Sequence, residues 1–224
     1  MSGWGLYAGA WALFVLSHSV PVRAPVKPWL VATLGQTGFG WAYSALSLAV
    51  LALLFIAAAH APHVPLWPMP ASAHWIVLAG MVPAVVLLSL TLGRPNPFSF
   101  GGAGNHRFDP DRPELTGWLR HPVLVALGLW AGVHLIANGD LAHGLMFAGF
   151  AGFAGLGMVL IDRRKQREMG LADWHALRAR CRHARLCMPP NATLRLAIGL
   201  LCLGALIAGH QGLSGVAIWP RFLP

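Results

Sequence analysis

FGWAYSALSLAVLALLFIAAA, running from Phe39 to Ala59, carries no charged side chain and decides the fold. About 20 consecutive apolar residues cross the hydrocarbon core of a bilayer, and this stretch has that length. Backbone amides in lipid have no water to bond, so the stretch must be a helix. Working outward, five more apolar runs recur at Trp4–Val22, His74–Gly93, Pro122–Ala137, Leu141–Ile161 and Leu194–Gly209. The expectation is an all-α polytopic membrane bundle of about six transmembrane helices. Residues 1–224 form one integral-membrane domain, with longer loops at about 94–120 and 162–194. Composition agrees: 10% of the residues are charged, where soluble domains carry about 25%.

The basic residues orient these spans. Fifteen of the sixteen Lys and Arg fall in or beside the first, third and fifth loops, from Arg23 to Arg195. The second and fourth loops have none, and Arg221 stands alone in the tail. By the positive-inside rule the odd loops are cytoplasmic and both termini periplasmic. The formal charge of +9 is therefore a topology signal and an anchor to anionic lipid, with no nucleic-acid partner implied. No basic residue precedes the first run and no clear small-residue cleavage site follows it, so it reads as a retained span. Cys181, His183 and Cys187 fall short of the usual structural zinc set.

The third loop is dense in Gly and Pro and reads as irregular, without the strand and Lys-Ser/Thr ending of a phosphate-binding loop. In the fifth loop, Met169, Leu171, Trp174, Leu177 and Cys181 recur near helical spacing among arginines. That pattern suggests an amphipathic helix at the membrane interface, or a solvated basic connector. Pro189-Pro190 would end such a helix.

Polar side chains at membrane depth are costly and usually functional. His18 lies near the cytoplasmic end of the first span, and His134 lies well inside or near the far end of the fourth. A buried imidazole can be a structural hydrogen-bonding group or a metal ligand, haem iron included. Arg120 and His121 precede Pro122, which suits the first helical turn. Arg120 can pair with a phosphate or carboxylate; His121 is a ligand, a substrate contact or an interfacial polar residue. The remaining histidines, among them His60, His63, His74, His106, His143 and His210, read as solvated.

Taken in order, the motifs resemble a family. His18-Ser19-Val20-Pro21-Val22-Arg23 resembles the end of the first helix in NnrU-family proteins, and Tyr43-Ser44-Ala45-Leu46-Ser47-Leu48 the opening of their second. Arg120-His121-Pro122, His134 and Asn138-Gly139 resemble one further helix of that family, and Asp162-Arg163-Arg164 the segment after the fifth. His210, Gly215-Val216-Ala217 and Trp219-Pro220 resemble its tail. The resemblance implies a bacterial inner-membrane protein linked to denitrification and nitric oxide. The family's plant relatives, the 15-cis-zeta-carotene isomerases, bind haem b and isomerise a hydrophobic polyene. Carried over residue by residue, the implied haem ligands are His18 and His134. Ala131 stands where the isomerases have a Cys.

Depth keeps a second pairing open. His134 is 13 residues beyond His121, roughly 20 Å along a helix, so His18 matches His121 in depth better. His121 is the reserve ligand. Two other functions stand beside the haem reading. One is an S-adenosylmethionine-dependent methyltransferase, similar to the isoprenylcysteine and small-thiol enzymes, with Arg120 and His121 lining the cofactor cleft. Leu124 and Ala126 replace the Tyr and Gly those enzymes carry, and Asp162-Arg163-Arg164 replaces their paired glutamates. The other is a non-enzymatic membrane accessory protein.

Overall fold

A computed structural model describes residues 3–100 and 103–216. Gly101 and Gly102 of the third loop, and Ala217, Trp219, Pro220 and Arg221 of the tail, lie outside them. The helices are α1 (Gly3–Ser19), α2 (Val26–Ala59), α3 (Ala73–Thr91), α4 (Pro122–Ala137), α5 (Leu141–Met169), α6 (Leu171–His183) and α7 (Ala192–Ser214). Two 3₁₀ turns, Asn105–Arg107 and Glu114–Gly117, are the only helical pieces of the third loop among the described residues. The fold is all-helical, as expected.

Four helices, α2, α3, α5 and α7, are long and apolar enough to cross a membrane. The expected six spans are therefore not all met by length. α4 is apolar but has 16 residues, and α1 has 17, both short of the roughly 20 a bilayer core asks for. Trp41 on α2 is 76% exposed and Leu201 on α7 is 73% exposed. Apolar faces bared on this scale belong in lipid, where they have no water to avoid.

Two boundaries differ most from the sequence reading. α2 begins at Val26 and breaks at Gly35, whose φ of 72° and ψ of 165° are non-helical. Only glycine takes that conformation readily, and the apolar runs leave residues 23–38 as a loop. α5 runs past Ile161 through Asp162–Met169, because Arg, Lys, Gln and Glu are good helix formers even where the membrane ends. Gly170, with φ of 85°, then separates it from α6.

The chain divides into two compact units. The first holds residues 1–68 and 139–146, and here α1 packs on α2. Val64 to Trp67 are zipped onto Gly139–Leu141: Leu66 N–H donates to Gly139 O at 2.7 Å, and Leu141 N–H to Val64 O at 2.9 Å. Asp140 fastens the same junction by accepting from Val64 N–H at 3.0 Å. The second unit holds residues 69–138 and 147–224, where α3 packs against α4 and α7. Small residues permit the approach: a Cβ on Gly80 would stand 2.3 Å from Val133, the close packing that holds helices together in lipid. Most of the apolar side of α6 packs against protein, while Leu171 is exposed. Trp174 and Cys181 are buried with Phe98 of the third loop, and Phe108, Met169 and Leu177 pack around them.

Candidate functional site

In the second unit, the polar groups converge on the start of α4. His121 is the residue before the first turn, at φ −121° and ψ 58°, and Pro122 opens the helix. Asp162, the first residue past the apolar part of α5, faces them. The Arg120 guanidinium grips the Asp162 carboxylate with two parallel bonds, Nε to Oδ1 at 3.2 Å and Nη2 to Oδ2 at 2.6 Å. His121 Nε2 lies 3.0 Å from Asp162 Oδ1, and its Nδ1 lies 2.9 Å from Ser99 Oγ. A carboxylate only accepts, so Nε2 carries the proton and donates. Burial pushes the imidazole's pKa below its usual value, with Asp162 pulling only partly the other way. His121 is thus neutral, and Nδ1 accepts the Ser99 hydroxyl proton.

The backbone around this cluster is fixed by further polar residues. Asn96 Nδ2 donates to Arg120 O at 2.9 Å, and Asn105 Nδ2 donates to Asn96 O at 3.2 Å. Arg120 also lies over the Trp174 ring, 5.6 Å from its centre. Ser99 and His121 are both buried, so this Ser–His–Asp arrangement is closed to a substrate. It joins the third loop to α4 and α5. Asn96, Ser99 and Asn105 escaped the sequence reading, and Asp162 entered it only as part of a motif.

His134 sits in the last turn of α4. Its Nδ1 donates to Trp130 O at 2.8 Å; a carbonyl cannot donate, so the lone pair is on Nε2. The ring lies 5.6 Å from the Trp130 ring, 5.2 Å from Phe147 and 6.5 Å from His210. Asn138 closes the helix end by donating its N–H and its Nδ2 to His134 O, at 3.0 and 2.7 Å.

His18 belongs to the first unit and has the same local chemistry. Its Nδ1 donates to Phe14 O at 2.8 Å and lies 3.2 Å from Ser17 Oγ. The ring stacks on Phe14 at 4.2 Å and meets Tyr43 edge-on at 6.1 Å. Two separate sequence motifs, one around His18 and one around Tyr43, therefore meet in space. Arg120 and His121 are likewise brought together with Asp162, while His134 stands at the opposite end of α4. Among the described residues no group of three or more His, Cys, Asp or Glu could hold a metal ion.

No curated protein and no solved structure matches the chain. The family model for NnrU protein matches residues 6–218, nearly its whole length, and takes in every motif described above except Trp219-Pro220. The chain belongs to the NnrU family of membrane proteins.

Proposed function

We propose that this protein binds haem b, with His134 and His18 as iron ligands, and works as a redox protein of the bacterial inner membrane. The observation that carries the reading is the tautomer of His134. Metal-binding histidines almost always donate the other ring N–H to a carbonyl or carboxylate, which fixes the ring and raises its basicity. His134 does so through Trp130 O and His18 through Phe14 O, each beside aromatic rings. The donor chemistry therefore fits the group. His121 is the weaker ligand, since both of its nitrogens are committed, to Ser99 and to Asp162.

Haem in such a site would supply an iron that exchanges an electron or binds nitric oxide, and the family's denitrification link and its isomerases are two outlets for that chemistry. The chain's own part is to hold two imidazoles in one tautomer and to exclude water. The methyltransferase alternative gains nothing from the geometry, because Arg120 and His121 are engaged with Asp162 rather than lining a cleft. The charge pattern supports a cytoplasmic position for the basic loops and a periplasmic one for both termini.

The test is a visible spectrum, oxidised and dithionite-reduced, of protein purified in detergent from cells supplied with haem. The expected result is a Soret band with sharp reduced α and β bands. His134→Ala and His18→Ala should each abolish or shift them, and His121→Ala should leave their positions unchanged. A colourless wild-type protein would overturn the haem reading and favour the accessory role.

A further inference from the structure

The geometry points to a binding site for an anionic phospholipid headgroup, in a cleft of about 360 Å³ between the third loop and the segment that leads into α7. The cleft is lined by Arg94, Arg107, Arg112, Asp109, Glu114 and Met188, among others. Its charges are unequally committed. Arg94 is gripped by Glu114 through two bonds, Nε to Oε2 at 3.0 Å and Nη2 to Oε1. Asp109 accepts from the N–H of Asp111 at 2.9 Å. Arg107 and Arg112 have no ion pair among the described residues. The Arg107 guanidinium is folded over Gly104, where a Cβ would stand 2.6 Å from its Nη2. Counting all five charged side chains, the wall carries one net positive charge, the complement of one phosphodiester.

The position of the cleft selects lipid over a soluble phosphate. Arg94 lies three residues past the end of α3, and Pro190, also in the wall, lies two before the start of α7. Arg195 ties these two helix ends together, donating to Ser89 O and Leu92 O at 3.1 Å each. Both helices are membrane spans by length, so the cleft sits within about a turn of where they leave the hydrocarbon. That is headgroup depth, on the face that carries the basic loops. Exposed Leu92, Leu186 and Met188 flank it with apolar surface for the glycerol and acyl portion. Two arginines with spare donors hold the phosphate, since the guanidinium fork matches its oxygens.

The test uses the full chain in nanodiscs of equal phosphatidylglycerol and phosphatidylcholine, released into native mass spectrometry. Titration with short-chain phosphatidylglycerol, short-chain phosphatidylcholine or inorganic phosphate is followed by thermal shift. Wild type should retain phosphatidylglycerol over phosphatidylcholine. The paired change Arg107→Gln with Arg112→Gln should weaken it by roughly fivefold per arginine. Arg107→Lys with Arg112→Lys keeps the charge and should recover much of the binding, which separates loss of the site from loss of folding. Arg163→Gln with Arg167→Gln removes the same charge from exposed positions outside the cleft and should change little. Equal losses in both glutamine pairs, or none in the first, would overturn the site. Inorganic phosphate that protects as well as the lipid, with no lipid retained, would overturn the membrane source.

Discussion

Asp162 is a single carboxylate serving two donors, and its removal tests what the cluster at the start of α4 contributes. Asp162→Asn keeps the size but takes away the charge that Arg120 faces, leaving a partly buried guanidinium with a neutral partner. Loss of one member of a fully buried pair costs about 3–5 kcal/mol. Here Arg120 is 33% exposed and Asp162 is 17% exposed, so solvent screening reduces the expected loss to about 2 kcal/mol. It would be read as a lowered unfolding midpoint in detergent, and an unchanged midpoint would show the pair to be ornamental to stability. His121 adds a pH dependence whose sign follows from burial. Its pKa is below 6.5 in the folded protein and near that value when unfolded, so the unfolded chain binds more protons. Its contribution is full above pH 6.5 and is lost as pH falls below it. The wild-type midpoint should drop on acidification through that range, and His121→Gln should flatten the drop.

At the scale of elements, the junction between α4 and α5 depends on one glycine. A Cβ on Gly139 would stand 1.8 Å from Trp67 O, and a backbone carbonyl within a hydrogen-bonded zipper cannot move aside. Gly139→Ala should therefore destabilise by about 2–4 kcal/mol. Gly132→Ala, within α4, has nothing within 4 Å of the new methyl and should be neutral or stabilise by up to about 1 kcal/mol. Thermal melts of the two proteins in one detergent would distinguish them, and equal midpoints would sink the argument. The sequence motif Asn138-Gly139 was visible, but its reason was not, because the partner Trp67 is far off along the chain. The same separation hid Asp162 from Arg120 and Ser99 from His121. What could be read were the local, periodic features: the apolar runs, the irregular third loop, and a helix near Met169–Cys181, seen at Leu171–His183. The partner of the apolar side of α6 was not legible, because periodicity reports that a face is buried, not what buries it. Phe98 does so here, where the pattern left the membrane interface and solvent both open. The charged end of α5 was missed for the converse reason, since helix propensity persists after hydrophobicity stops.

At the scale of the whole molecule, contacts between loops decide what length leaves open. By length alone, α4 does not qualify as a span, and a chain crossing only in α2, α3, α5 and α7 would put the third and fifth loops on opposite faces. Yet within the second unit those loops touch. Arg178 Nη1 donates to Gly117 O at 2.8 Å, Arg180 pairs with Asp111, and Trp174 meets Phe98 edge-on. A crossing along α4 with a return along α5 would reconcile these contacts with the spans. A 16-residue helix is about 24 Å long, which a locally thinned bilayer accommodates at modest cost. Accessible-cysteine labelling checks this directly, in a background with Cys181, Cys187 and Cys202 replaced. Trp118→Cys in the third loop and Arg182→Cys in α6 should react with an impermeant maleimide only after the cytoplasmic side is opened. His63→Cys, between α2 and α3, should react from outside in intact cells with a permeabilised outer envelope. If Trp118→Cys and Arg182→Cys label from opposite sides, α4 does not cross, and the contacts between the two loops do not form in the membrane.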